Sequence, residues 1–378
     1  MNYPEPSSVY VHVPFCRHRC HYCNFALVAD RDYLIDQYLD ALQMEIALQE
    51  PRTVQTVFLG GGTPSHLPAN QLERLLTIVL DRFTLADDAE FTCEVNPNDV
   101  HQELLDTLVN SGVNRLSIGA QSLIDQKLQR LDRQHSVDSV LQSVELARKN
   151  VASISLDLIF GERVDTVASW TSELEAAGKL EIDHISTYEL TIEKGTRLFQ
   201  IDQAQSAKVS NELSAQLYQC TREELANQQF EQYEISSFAR TGQRCRHNQS
   251  YWNGSRYLAF GPGAASFVGN CRMTNHPSLS RYLASLETQG IPAREFEELS
   301  SRQIAIDLLV FGLRQTQGAD LRMIESQTGC SPSDLNWEVC ENYLEQGLLR
   351  LVEQRLSMTE SGLLFADSIT DEIVGHTD

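Results

Sequence analysis

Between residues 8 and 240, six short apolar, β-branched runs recur, each followed by polar, Gly or Pro punctuation and separated by longer amphipathic stretches. They occupy residues 8–15, 54–60, 89–96, 115–121, 153–160 and 184–191. Strands that alternate with helix-length segments are the pattern of repeated strand-helix units around a parallel sheet. Helices are expected between them, for example over 33–49, where Leu34, Leu39, Leu42 and Ile46 fall at near-helical spacing, and over 203–227. Six units are too few for a closed eight-stranded barrel and too regular for most open sheets. The expected fold is therefore α/β, a partial (β/α)6 barrel, with a doubly wound sheet as the alternative. Either architecture gathers functional residues at the carboxyl ends of the strands, which is where the unusual residues of this sequence fall.

The chain has 378 residues. A single core usually stops growing at roughly 250–300 residues, so an appendage is expected. A strand-like run at 232–239 leads into an aromatic and Gly-rich segment through Phe267, and helical patterning takes over from about residue 300. The expected organisation is a barrel over 1–240, an extension over 241–295 and a C-terminal unit over 296–378. That unit reads as helices at 304–313 and 321–327, then helix end, hairpin and helix start over 344–365, a winged-helix-like pattern. It has no basic recognition helix, so a packing or lid role is expected instead of DNA binding. A net charge of −22 likewise disfavours nucleic acid and anionic lipid as partners. No window approaches the roughly 18 apolar residues of a membrane span, and Met1-Asn2-Tyr3-Pro4-Glu5-Pro6 lacks the features of a secretory signal, so the cytoplasm is the expected compartment. Thiols there stay reduced. Nine cysteines, an odd number with three crowded between positions 16 and 23, argue for metal or redox chemistry over a disulfide framework.

The segment Pro14-Phe15-Cys16-Arg17-His18-Arg19-Cys20-His21-Tyr22-Cys23 spaces three thiols at intervals of four and three, directly after the first apolar run. Thiolates are the ligands that zinc and iron–sulfur clusters select. Structural zinc takes four protein ligands, commonly in two separated pairs, and no second Cys-x-x-Cys occurs in the chain. A zinc site completed by His18 or His21, in a zinc-stabilised interaction protein, is the rival reading, at the cost of strained tetrahedral geometry. A four-iron cluster held by three cysteines instead leaves one iron open, a Lewis acid for a chelating small molecule. The second run ends in Phe58-Leu59-Gly60-Gly61-Gly62-Thr63-Pro64, whose glycines let a ligand approach the backbone and whose Thr63 offers a hydroxyl.

Cys-x3-Cys-x2-Cys after a first strand resembles the radical S-adenosylmethionine (SAM) superfamily, and Gly60-Gly61-Gly62-Thr63-Pro64-Ser65 is similar to its HemN/HemW family of anaerobic coproporphyrinogen dehydrogenases and heme chaperones. The likeness continues through Glu94-Val95-Asn96-Pro97, Ser117-Ile118-Gly119-Ala120-Gln121-Ser122 and Asp157-Leu158-Ile159-Phe160-Gly161. The resemblance implies a [4Fe-4S] cluster on Cys16, Cys20 and Cys23, with SAM chelating the open iron. It also implies SAM contacts from Tyr10, Tyr22, Gly61, Gly62, Thr63, Glu94, Gln121, Arg133 and Asp157. The residue types suit that ligand: carboxylates and amides for ribose hydroxyls and the ammonium, Arg133 for a carboxylate, Tyr22 for stacking on adenine.

Two features separate the branches of the family. The dehydrogenases continue as Cys-x3-Cys-x2-Cys-x-Cys, whereas Phe25 stands at the fourth position here. His247-Asn248-Gln249-Ser250-Tyr251-Trp252, preceded by Cys245, matches the His-Asn-x-x-Tyr-Trp motif associated with heme binding in the chaperones. The resemblance thus implies a heme carrier, with His247 as iron ligand, an unidentified acceptor protein, an unidentified electron donor and no catalytic turnover required. Oxidative decarboxylation of coproporphyrinogen III is the alternative. Imidazole is a common axial ligand, but a buried His, Tyr and Trp at this spacing also serve simply as packing. Gly161-Glu162-Arg163 stands where relatives usually have Gly-Leu-Pro, and Ala265 where many have His, both on the expected substrate side.

Overall fold

The computed structural model describes residues 3–205 and 208–375; Met1, Asn2, residues 206–207 and residues 376–378 lie outside the described residues. The six runs are strands β1 (Ser8–Val13), β2 (Arg52–Gly61), β3 (Phe83–Val95), β4 (Arg115–Gln121), β5 (Ser153–Phe160) and β6 (His184–Glu189). They pair in parallel and in chain order. A doubly wound sheet reverses its strand order at a switch point, and here no reversal occurs within the six, so the architecture is the partial (β/α)6 barrel. The sheet does not close. One end is extended by the hairpin β7 (Glu231–Glu234) and β8 (Ser237–Ala239), antiparallel to β6. The other end carries β9 (Tyr257–Phe260), parallel to β1, and the antiparallel β10 (Ala265–Val268), β11 (Cys271–Asn275) and β12 (Arg294–Glu298).

Two expectations are corrected. The single strand over 232–239 is the β7–β8 hairpin, because Ile235 N donates to Arg314 O and Ser236 O accepts from Thr187 N instead of continuing a ladder. The helix expected over 203–227 is two helices, Arg197–Gln205 and Asn211–Asn227, with residues 206–207 outside the described residues. Ser210 starts the second by accepting from Leu213 N, an N-cap that satisfies one orphan amide.

Along each barrel strand, side chains alternate between two environments. On β4, Leu116, Ile118 and Ala120 are fully buried in the core against the surrounding helices, while Ser117, Gly119 and Gln121 line the barrel interior. Val9 and Val11 on β1 and Leu156 and Leu158 on β5 repeat the outward apolar positions, and each such buried side chain contributes roughly 1.5–3 kcal/mol. Most inward positions are polar, among them Tyr10, Glu94, Ser117, Asp157 and Ser186, with Phe58 and Ile159 as apolar exceptions. A closed eight-stranded barrel fills its centre with branched apolar side chains; this one keeps a lined cavity.

A second core collects Phe267 with Ile304, Leu308, Leu309, Leu321, Leu356, Ile369 and others from the C-terminal part. There the helices Ser301–Arg314, Leu321–Thr328 and Trp337–Glu345 accompany a small sheet of Ala319–Asp320, Leu349–Val352 and Arg355–Met358, the winged-helix-like arrangement. Its first helix begins with a capping box of Ser300 and Gln303 and packs against the short helix Arg246–Trp252 that contains His247.

Candidate functional site

The carboxyl ends of the strands surround a cavity of about 480 Å3, within the roughly 300–1,000 Å3 usual for cofactor sites. Cys16, Cys20 and Cys23 all line it, together with Tyr22, Gly61, Gly62, Thr63, Glu94, Gln121, Arg133 and Asp157. Of the SAM contacts implied by resemblance, Tyr10 alone stands apart: it lines a smaller cavity of about 180 Å3 deeper in the barrel, and its hydroxyl lies 3.2 Å from His12 Nδ1.

The thiols are free, and Cys16 is buried while Cys20 and Cys23 are half-buried. Thr63 Oγ1 lies 3.1 Å from Cys16 Sγ, and Arg133 Nη1 lies 3.6 Å from Cys20 Sγ. Burial pushes the Cys16 thiol up to about 11, against a partly offsetting pull from Thr63, so filling the site with a thiolate-bound cluster must release protons. The zinc alternative fares worse. His18 and His21 both turn to Asp132, whose Oδ2 is 2.5 Å from His18 Nε2 and 3.1 Å from His21 Nε2. Among the described residues no three His, Cys, Asp or Glu side chains converge on a single ion. The fit to a cluster rests on the donor set itself, three soft sulfurs on one loop beside a buried cation.

The glycines at the end of β2 have a steric cause. A Cβ on Gly62 would come within 2.7 Å of both Phe15 O and Val13 O, and Gly61 adopts φ +105 with the His12 ring against it. Gly62 N donates to Val13 O and Thr63 N to Phe15 O, at 2.8 Å each, so this turn is drawn onto the cysteine loop. Gly61 N in turn donates to Glu94 Oε2 at 3.0 Å. Gln121 sits at φ 65 where the β4–β5 register shifts, a strained conformation for a non-glycine residue that aims its amide over Gly119. Arg133 donates to Gly119 O at 2.9 Å while its buried Nε has no partner, which leaves donor capacity for a ligand carboxylate. Tyr22 packs with Leu131, Ile159, Leu190 and Leu198, a flat apolar patch on the cavity wall.

Burial, reinforced by the nearby Asp157 carboxylate, raises Glu94 from an ordinary 4.5 to about 7, with the Gly61 amide pulling the other way. The folded protein therefore holds a proton that the unfolded chain has already lost. This group's contribution is intact below the unfolded value and is lost as pH rises through about 7, an effect of roughly 3 kcal/mol for a fully buried site. Glu94→Gln removes the titration. Between about pH 5 and about pH 8 the parent's urea midpoint is expected to fall relative to the variant's; parallel profiles would contradict the assignment.

A buried brace holds the two loops at the cavity mouth. Lys127 Nζ pairs with Asp165 Oδ1 at 3.0 Å and Glu173 Oε2 at 3.2 Å, all three side chains being essentially inaccessible. Glu173 accepts from Ser122 Oγ and Leu123 N just beyond Gln121, and Asp165 accepts from Gly161 N and Glu162 N. The departure Gly161-Glu162-Arg163 finds its explanation here: Glu162 is buried and pairs with Arg130 at 2.6 Å. Lys127, Asp165 and Glu173 belong to none of the motifs read from the sequence.

His247 lies at the other end of the barrel, 1% exposed. Its Nδ1 meets Thr56 Oγ1 at 2.8 Å and its Nε2 meets Tyr251 Oη at 2.8 Å. Burial, aided by the charge of Arg115, lowers the imidazole to about 3, so the ring is neutral. Glu90, on β3, accepts from Arg246 N and His247 N at 2.9 Å each and fixes the start of the helix. Both ring nitrogens are thus engaged, and the adjoining 180 Å3 cavity is below the usual size of a cofactor site. A porphyrin does not fit beside His247 in this conformation. Trp252 is held between Phe311 and Arg314 of the C-terminal unit and Tyr251 stands edge-on to Tyr257 at 4.7 Å, so both aromatics serve as packing.

This fold, with three cysteines on the loop after β1 and a polar barrel mouth around them, defines the radical SAM class. A family model described as the Radical SAM superfamily matches residues 10–170, and one described as the HemN C-terminal domain matches residues 299–365. The chain is 32% identical over 376 residues to the heme chaperone HemW of Bacillus subtilis, covering 98% of this chain and 99% of that one. It is 33% identical over 380 residues to the heme chaperone HemW of Mycobacterium tuberculosis, covering 98% and 95%. Among solved structures, the coproporphyrinogen III oxidase HemN of Escherichia coli superposes with a TM-score of 0.86 at 25% identity, over 97% of this chain and 89% of that one. The chain belongs to the HemN/HemW family of radical SAM proteins.

Proposed function

We propose that this protein is a heme chaperone of the HemW type, carrying a [4Fe-4S] cluster on Cys16, Cys20 and Cys23 with SAM at the open iron, and delivering heme to an acceptor protein. The observation that carries the reading is the near-complete alignment with proteins named heme chaperone HemW. Phe25 supports it: the side chain that replaces the fourth cysteine of the dehydrogenases is 62% exposed at the rim of the cluster cavity. When bound, cluster and SAM supply radical chemistry; the chain's own residues position them. Arg133 offers its free Nε to the SAM carboxylate, Glu94 and Asp157 offer carboxylates to its ammonium and ribose, and Tyr22 offers a face to the adenine. The reading divides the chain into a barrel over 1–240, an extension over 241–295 and a C-terminal unit over 296–378, and places it in the cytoplasm.

Heme is cargo in this scheme, and His247 is its proposed iron ligand in an opened state. To reach iron, Nε2 must leave Tyr251 Oη, and the helix from Arg246 to Trp252 must move away from the barrel floor. Two variants test this in opposite directions. His247→Ala is expected to weaken heme binding at least about tenfold. Tyr251→Phe, which frees Nε2 from a hydrogen bond worth about 0.5–1.5 kcal/mol, is expected to tighten it about two- to tenfold. Unchanged affinity in His247→Ala removes the ligand assignment.

A further inference from the structure

The smaller cavity contains a cation that the proposed chemistry does not use. Arg115, the first residue of β4, is 3% exposed and lines this cavity. Its Nε has no hydrogen-bond partner, and among the described residues no ion pair holds its guanidinium. The acidic groups that act on it, Cys245, Glu90, Tyr233 and Asp157, do so through space. The carboxylate oxygens accept from other donors. Glu90 accepts from the amides of Arg246 and His247, and Asp157 accepts from Ser117 Oγ at 3.0 and 3.2 Å. Leaving a buried guanidinium without an acceptor is costly, and five N–H donors in a fixed fork match a carboxylate.

We propose that the barrel floor is a carboxylate-binding site, with Arg115 as the bidentate partner of the anion. Its size limits the ligand. About 180 Å3 takes a propionate-sized group and excludes a macrocycle. Position separates it from the SAM site: Arg115 and Gln121 lie at opposite ends of β4, about 20 Å apart along the strand. The two cavities nevertheless adjoin, sharing Glu94, Ser117, Asp157 and Tyr188 as lining. The carboxylate comes either from a free small anion or from a side arm of a larger ligand; heme, with two propionates, is such a ligand if the chaperone reading holds.

Thermal unfolding of the full-length protein with sodium propionate, against propionamide as a neutral isostere of the same shape, tests the site without any substitution. Propionate is expected to raise the midpoint in a concentration-dependent way and propionamide to leave it unchanged, because only a ligand of the native state shifts the equilibrium. Arg115→Met is expected to abolish the propionate effect, and Arg115→Lys to retain it at least about tenfold weaker. Equal effects of propionate and propionamide, or a propionate effect that survives in Arg115→Met, overturn the proposal. If Arg115→Met does not fold, the comparison of the two ligands on the parent decides. Titration with hemin and its dipropionate dimethyl ester separates the sources. Esterification that weakens binding in the parent but not in Arg115→Met assigns the carboxylate to the tetrapyrrole; the same loss in both proteins assigns it to a free anion.

Discussion

Cys16→Ser, Cys20→Ser and Cys23→Ser are each expected to reduce the iron retained after anaerobic reconstitution from about four per chain to below about one. A serine hydroxyl is a hard, weakly acidic donor and does not replace a thiolate on iron. Cys16 is the most deeply placed of the three, buried against Thr63, while Cys20 and Cys23 are half-buried. Cys220 is the matched control: it is half-buried beside Thr171 on the outer helices, and Cys220→Ser is expected to keep the full iron content. Iron and acid-labile sulfide analysis reads all four proteins. Full iron in Cys16→Ser would remove Cys16 from the cluster's ligand set.

The largest stability effect is expected at Lys127. Lys127→Met leaves Asp165 and Glu173 buried without their shared cation, and breaking a buried ion pair from one side costs about 3–5 kcal/mol. The loss should appear as a lower urea midpoint. It should also reach the site, since Glu173 holds Ser122 and Leu123 directly after Gln121. SAM affinity of the reconstituted variant is therefore expected to fall while its iron content is kept. A variant with the parent's midpoint would show that the brace contributes nothing measurable.

The strand order was legible in the sequence because each strand of the barrel has an outward apolar face packed on helices, and that face repeats every second residue. The cysteine loop was legible because its ligands are contiguous. The interior was legible only where the family resemblance reached it, at Tyr10, Glu94, Gln121 and Asp157. Arg115 and Ser117 are single polar residues in an apolar run, and only the unfilled barrel makes them lining instead of irregularities. Lys127 carries no mark in the sequence, because its partners Asp165 and Glu173 lie about 40 residues further along the chain. His247 looked like an available ligand because sequence shows neither Thr56 across the barrel floor nor the hydroxyl of Tyr251 one helical turn away. Its motif marks a real structural element, the helix that closes the barrel floor, whose movement the heme reading requires.

One anaerobic experiment separates a heme carrier built on radical SAM machinery from a porphyrinogen-oxidising enzyme. The cluster-reconstituted protein is incubated with SAM and a reductant, with hemin in one sample and coproporphyrinogen III in the other. Saturable, stoichiometric heme binding is expected in the first and no protoporphyrinogen in the second. Formation of protoporphyrinogen, or heme uptake that never saturates, would contradict the heme-carrier reading.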